Sequence, residues 1–125
     1  MIESLFARID SKREELVSFT QELVGIPTIN PPGEDYLKCA ELLGNRLAKS
    51  GFSLLYERAN NTPGDSERYP RHNVIARIEG KHSGPCVHFN GHLDVVVTGN
   101  GWTVDPFEGL VRDGKIYGRG TCDMK

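Results

Sequence analysis

The chain has 125 residues, of which 38% are hydrophobic and 26% charged, values ordinary for one soluble domain with a core. Its formal net charge is −2 and neither sign forms a block, so nucleic acid and acidic membrane surfaces are poor candidate partners. The three cysteines lack C-x-x-C spacing, which argues against a disulfide framework and against a thiolate zinc site. No apolar run approaches the length of a membrane span and the N-terminus lacks a signal-peptide pattern, so we expect a cytoplasmic protein.

Two amphipathic helices are predicted in the first part of the chain. Apolar residues recur at three- and four-residue intervals from Ile2 to Val24, which favours one continuous helix. A capping box formed by Ser11 and Glu14 is the alternative, and it would start a second helix within this stretch. The next helix is predicted from about Glu34 to Ser50, with Gly51 as its left-handed C-terminal cap.

Strands are predicted after these helices. Apolar and β-branched residues indicate strands at residues 52–59, 73–78 and 85–90. Asp113 and Gly114 tolerate positive φ and predict a tight hairpin between two short strands, Leu110–Arg112 and Lys115–Tyr117. Two helices followed by a mixed sheet with a hairpin indicate an α/β or α+β arrangement, and we expect the α/β fold class.

A histidine and a carboxylate stand two residues apart where the strand at 85–90 ends. In extended backbone the side chains of His92 and Asp94 point to the same face. A metal-ligating imidazole commonly has its other ring nitrogen bonded to a carboxylate, so Asp94 is a candidate partner of His92 in a metal site. A polar strand end facing solvent is the alternative that this pattern alone leaves open.

A second candidate carboxylate follows the hairpin. Residues 118–125 form a glycine-flanked loop that leads to Asp123. The loop lacks the spacing of a phosphate-binding P-loop and of the dinucleotide G-x-G-x-x-G pattern. From spacing alone, Asp123 is either a functional carboxylate or a solvated turn residue.

Four motifs in this order resemble one enzyme family. They are Asn90-Gly91-His92-Leu93-Asp94-Val95-Val96, then Trp102, then Asp105-Pro106-Phe107, then Asp113 to Gly120 continuing through Asp123-Met124-Lys125. Together they resemble the zinc-dependent deacylases and exopeptidases related to acetylornithine deacetylase and succinyl-diaminopimelate desuccinylase. The resemblance extends over the N-terminal helices and Pro31-Pro32-Gly33. It implies that residues 1–125 are the N-terminal portion of a di-zinc, aminopeptidase-like metallohydrolase catalytic domain.

The resemblance also implies roles for individual residues. His92 would ligate one zinc ion, Asp94 would have a catalytic role by orienting His92, and Asp123 would bridge two zinc ions, with cobalt as a possible substitute. The general base, the remaining ligands and a dimerisation domain would lie outside residues 1–125, so the chain alone would be inactive. The substrate would be a small N-acylated amino acid or dipeptide. The family often has a cis peptide after the bridging aspartate, here Asp123–Met124.

Other interpretations of the sequence remain open. A truncated, non-catalytic fragment that binds metal weakly or not at all is the main alternative, and a metallophosphoesterase fits the order of motifs less well. A fragment would leave apolar strand residues partly uncovered, namely Val74, Ile78, Val87 and Phe89. Arg119 is expected to pin the glycine-rich loop through an ion pair, with binding of a substrate carboxylate as the less favoured role.

Overall fold

A computed structural model describes residues 2–125, which form three helices and four strands. In chain order they are α1 (Ile2–Asp10), α2 (Arg13–Val24), α3 (Tyr36–Lys49), β1 (Ser53–Arg58), β2 (His72–Arg77), β3 (Leu110–Arg112) and β4 (Lys115–Tyr117). The predicted α/β class is confirmed, although the strands form two separate antiparallel pairs and not the expected mixed sheet. The described residues divide into two compact units. The hairpin unit comprises residues 2–26, 98–123 and 125, and the α3–sheet unit comprises residues 27–97 and 124.

The predicted continuous N-terminal helix is wrong, because it is divided between α1 and α2. The break is short, since only Ser11 and Lys12 lie between the two helices. Ser11 Oγ donates to the carbonyl oxygen of Arg8 at 2.8 Å, a local bond that competes with helix propagation. The capping box does not form either, since α2 begins after Lys12 without a side-chain cap.

In the hairpin unit, α2 provides the buried residues and the tight turn is as predicted. Val24 is fully buried and Leu23 nearly so. The β3–β4 pair is antiparallel, and Asp113 and Gly114 have φ angles of 52° and 72°. Gln21 Nε2 donates to the carbonyl oxygen of Gly109 at 2.8 Å, which ties α2 to the residue before β3.

In the α3–sheet unit, β1 and β2 form a two-stranded antiparallel sheet against which α3 packs. The register pairs Ser53 with Arg77 and Arg58 with His72. The buried positions of α3 are Tyr36, Cys39, Ala40 and Gly44. The helix ends before Gly51, whose φ of 88° confirms the predicted left-handed cap.

The strand predicted at residues 85–90 is wrong, because this segment has no regular structure. A strand needs a hydrogen-bonded neighbour, and in the described residues β1 and β2 pair only with each other. Val87 is 75% exposed and Phe89 is 90% exposed, and Ile78 is also exposed, in line with the predicted loss of cover. Val74, in contrast, is half-buried.

Two peptide bonds in the described residues are cis, Asn30–Pro31 and Pro31–Pro32. The Asp123–Met124 bond is not among them, so the expected cis bond at that position is wrong.

Candidate metal centre

The backbone that carries His92 and Asp94 is fastened to residues 28–30. Val95 N–H donates to the carbonyl oxygen of Thr28 at 2.9 Å, and Asn30 N–H donates to that of Val95 at 2.9 Å, which gives a parallel bridge between Ile29 and Val95. The buried Thr28 hydroxyl donates to the Leu93 carbonyl oxygen at 2.5 Å. These bonds fix the backbone on both sides of Asp94.

The structure brings His92 and Asp94 together, as their spacing predicts. His92 Nδ1 lies 3.4 Å from Asp94 Oδ1 and 3.0 Å from the Asp94 backbone oxygen. Two acceptors on this side favour the tautomer with the proton on Nδ1, in which Nε2 carries the lone pair that a metal ion requires. The two side chains are 46% and 34% exposed, so solvent reaches the pair.

Residues far away in the sequence hold the other carboxylate oxygen of Asp94. Asn30 Nδ2 donates to Asp94 Oδ2 at 3.1 Å, and Arg71 Nη2 donates to Asn30 Oδ1 at 3.0 Å. Sequence reasoning missed both residues, because Asn30 precedes two prolines in a turn and Arg71 ends a polar loop. No local pattern signals a contact between positions this far apart in the chain.

Tyr36 completes the polar group around Asp94. Its hydroxyl accepts a hydrogen bond from Arg71 Nη1 at 2.6 Å, and it lies at the buried start of α3. Burial raises the pKa of Tyr36, and the negative charge of Asp94 raises this pKa further, while Arg71 acts in the opposite direction. Tyr36 is therefore protonated at neutral pH.

Asp123 lies in the hairpin unit, whereas His92 and Asp94 lie in the α3–sheet unit. Its exposed side chain extends from a turn in which Asp123 N–H donates to the Gly120 carbonyl oxygen at 3.2 Å. Lys125 closes the same turn with a 2.8 Å bond from its N–H to that oxygen. Lys125 Nζ also donates to the carbonyl oxygens of Leu23 and Ile26 at 3.0 and 2.7 Å, which fastens the turn to the end of α2.

The donor chemistry of His92 fits zinc, but the described part of the chain does not assemble a full ligand set. A neutral imidazole is among the commonest zinc ligands, and a carboxylate can bridge two metal ions. Residues 2–125 contain no group of three or more His, Cys, Asp or Glu side chains arranged to hold a metal ion.

Arg119 pins the loop that precedes the hairpin. Its Nη2 donates to the Thr98 carbonyl oxygen at 2.9 Å, and its guanidinium lies 5.4 Å from the ring centroid of Trp102. Trp102 Nε1 donates to the same oxygen at 2.7 Å. Arg119 is thus held by a hydrogen bond and a cation–π contact, and the ion pair expected from the sequence stays a prediction.

Comparison with known proteins gives a family match for the last part of the chain. Residues 88–125, which include His92, Asp94 and Asp123, match the model of peptidase family M20/M25/M40. The chain is therefore related in sequence to the N-terminal part of hydrolases of this family, and the resemblance predicted from its motifs is confirmed.

Curated relatives in this family have named hydrolytic activities. The chain is 38% identical over 111 residues to a succinyl-diaminopimelate desuccinylase of Variovorax paradoxus, which covers 87% of the chain and 27% of the relative. It is 41% identical over 112 residues to the enzyme of that name from Delftia acidovorans, with 87% and 27% covered. An N-formyl-4-amino-5-aminomethyl-2-methylpyrimidine deformylase of Halalkalibacterium halodurans is 32% identical over 130 residues, with 100% and 28% covered. The chain spans about a quarter of the length of these relatives.

Within residues 2–125, no helix combines the length and the apolar character that crossing a bilayer requires.

Proposed function

We propose that residues 1–125 are the N-terminal portion of the catalytic domain of a metal-dependent amidohydrolase that cleaves a small N-acylated amino acid or dipeptide. The observation that carries the proposal is the contact between His92 and Asp94, inside the segment that matches the family model. The names of the relatives, a desuccinylase and a deformylase, support removal of an acyl group from nitrogen as the reaction class.

In this proposal His92 and Asp123 hold zinc, with cobalt as a substitute, and Asp94 has an orienting role. When bound, a zinc pair polarises the scissile carbonyl and activates water at neutral pH. Asp94 keeps the proton of His92 on Nδ1 and favours the ligating form of Nε2. Asp123, with two carboxylate oxygens on an exposed turn, is suited to bridge two ions.

Activity is best tested in a full-length framework, because the chain spans about a quarter of its relatives. The matching segment of the Variovorax paradoxus desuccinylase is replaced by the aligned residues of this chain, and hydrolysis of succinyl-diaminopimelate is measured. We expect hydrolysis that falls by about 100-fold or more in the His92→Ala and Asp123→Ala variants, since both are direct ligands. His88→Ala is the matched control, because His88 is an exposed histidine of the same segment. A chimaera whose activity survives both ligand substitutions contradicts the proposal.

A non-catalytic chain that binds metal weakly or not at all is the second candidate. It is favoured by the finding that residues 2–125 bring together no three potential metal ligands. Calorimetric titration of the 125-residue chain with zinc distinguishes the two. The proposal predicts binding that is lost in His92→Ala and retained in His88→Ala, whereas the alternative predicts no heat that depends on His92.

A further inference from the structure

A chain of polar contacts leads from Arg71 through Asn30 to Asp94, entirely within the α3–sheet unit. We propose that Arg71 and Asn30 are positioning residues of the candidate metal centre. They hold the Asp94 carboxylate by Oδ2, so that Oδ1 faces Nδ1 of His92. The role of these residues in metal binding rests on the proposed function, whereas their contacts with Asp94 rest on the geometry alone.

The order of donors and acceptors gives the contact chain a direction. The Arg71 guanidinium has no acceptor and the Asp94 carboxylate, when ionised, has no donor. The amide of Asn30 between them therefore has one orientation, with Oδ1 toward Arg71 and Nδ2 toward Asp94. Both bonds involve a charged group, and bonds of this type are roughly twice as strong as those between neutral groups. Asn30 thus transmits the position of the guanidinium to the carboxylate.

The Arg71 side chain is itself firmly held. Its Nη1 donates to the Tyr36 hydroxyl at 2.6 Å, and its Nη2 also donates to the Pro32 carbonyl oxygen at 3.2 Å. The guanidinium carbon lies 4.9 Å from the ring centroid of Tyr36. The backbone N–H of Arg71 donates to Asp65 Oδ1 at 3.0 Å. A guanidinium with these contacts can act as a fixed reference for Asn30.

Two glycines make room for this guanidinium. A Cβ atom on Gly33 would lie 2.5 Å from Arg71 Nη1, and one on Gly64 would also overlap the guanidinium. Both glycines have positive φ angles, 107° and 84°, which side chains rarely tolerate. Segments from opposite sides of α3 in the sequence are thus shaped to enclose the same arginine.

The tautomer of His92 provides a test that needs no metal. Long-range proton–nitrogen NMR spectra of the zinc-free 125-residue chain, recorded about two pH units above the ordinary histidine pKa of about 6.5, show which ring nitrogen carries the proton. We expect Nδ1–H in the unmodified chain and a shift toward Nε2–H in both Arg71→Gln and Asn30→Ala. Arg68→Gln is the matched control, because Arg68 lies in the same loop and stacks on Tyr69.

The double variant tests whether Arg71 acts through Asn30. If it does, Arg71→Gln adds no further shift to Asn30→Ala, because coupled residues give non-additive effects. An unchanged tautomer in both single variants overturns the proposal, since the Asp94 backbone oxygen, 3.0 Å from Nδ1, would then suffice. An equal shift in Arg68→Gln overturns it as well. If Arg71→Gln fails to fold, Asn30→Ala decides, because it leaves the bonds from Arg71 to Tyr36 and Pro32 in place.

Zinc titration separates this inference from the proposed function. If both hold, Asn30→Ala and Arg71→Gln weaken the zinc binding that depends on His92 by up to about tenfold, the lower end for groups that support a ligand. If the unmodified chain shows no zinc binding that depends on His92, the proposed function fails while the tautomer result stands. If zinc binds but the tautomer is insensitive, the positioning role fails while the proposed function stands.

Discussion

Thr28→Val removes the hydroxyl that fastens the Leu93 carbonyl next to the candidate site. Thr28 is fully buried, and its Oγ1 donates to the Leu93 oxygen at 2.5 Å. Valine has nearly the same shape but no donor, so the partly buried Leu93 carbonyl loses its bond to residue 28. Leaving a buried acceptor unsatisfied costs about 1–3 kcal/mol. We therefore expect the free energy of unfolding to fall by about 2 kcal/mol, the middle of that range.

Urea unfolding followed by far-ultraviolet circular dichroism measures this loss. With an m-value of about 2 kcal/mol/M, the unfolding midpoint of Thr28→Val falls by about 1 M. Thr28→Ser is the matched control, because it keeps the hydroxyl and removes one methyl group, worth about 0.8 kcal/mol in transfer free energy. The expected order of stability is unmodified chain, then the serine variant, then the valine variant. A valine variant as stable as the serine variant would refute the view that this hydrogen bond outweighs the buried methyl group.

Three further substitutions test other contacts. Gly44→Ala is expected to lower the unfolding midpoint in urea, because its Cβ would lie 2.7 Å from Tyr56 Cζ. This clash opposes the helix propensity of alanine, which exceeds that of glycine by about 1 kcal/mol. Adding Tyr56→Ala should restore the midpoint. The Arg58 side chain lowers the pKa of Asp65. The Asp65 carboxylate therefore stabilises the folded chain above the ordinary aspartate pKa of about 3.9, and this effect is lost as the pH falls through its folded pKa. The difference in urea midpoint between the unmodified chain and Asp65→Asn should therefore shrink in acid. Lys125→Met removes two hydrogen bonds to the end of α2 and should speed amide exchange in its last turn, whereas Lys125→Arg should leave exchange nearly unchanged.

Local sequence patterns predicted those elements whose structure depends only on residues adjacent in the sequence. The Asp113–Gly114 turn and the cap at Gly51 follow from backbone freedom at single positions, and both formed as expected. The break between α1 and α2 did not follow from the apolar phase, which continues across it. The break lies at Ser11 and Lys12, where the Ser11 hydroxyl donates to the Arg8 carbonyl oxygen and competes with helix propagation.

The segment 85–90 failed for a related reason. Alternating apolar residues such as Val87 and Phe89 make a strand favourable only when a neighbouring strand accepts its backbone bonds. In the described residues no such neighbour pairs with it, and both side chains remain exposed. Periodicity reports which residues prefer burial, whereas the pairing that satisfies this preference depends on residues elsewhere in the chain.

In the candidate site, too, contacts within one segment were predictable from the sequence, whereas contacts between distant residues were not. The facing of His92 and Asp94 is a property of two positions in one extended segment, so their spacing was sufficient to predict it. The role of Asn30 does not follow from one segment, because it depends on a donor on one side, Arg71, and an acceptor on the other, Asp94. A side chain at position 30 must therefore accept and donate at once. Aspartate could still accept from Arg71 but would place a second carboxylate against Asp94, whereas leucine would interrupt the contact at both ends. Both substitutions should therefore remove the link between Arg71 and Asp94.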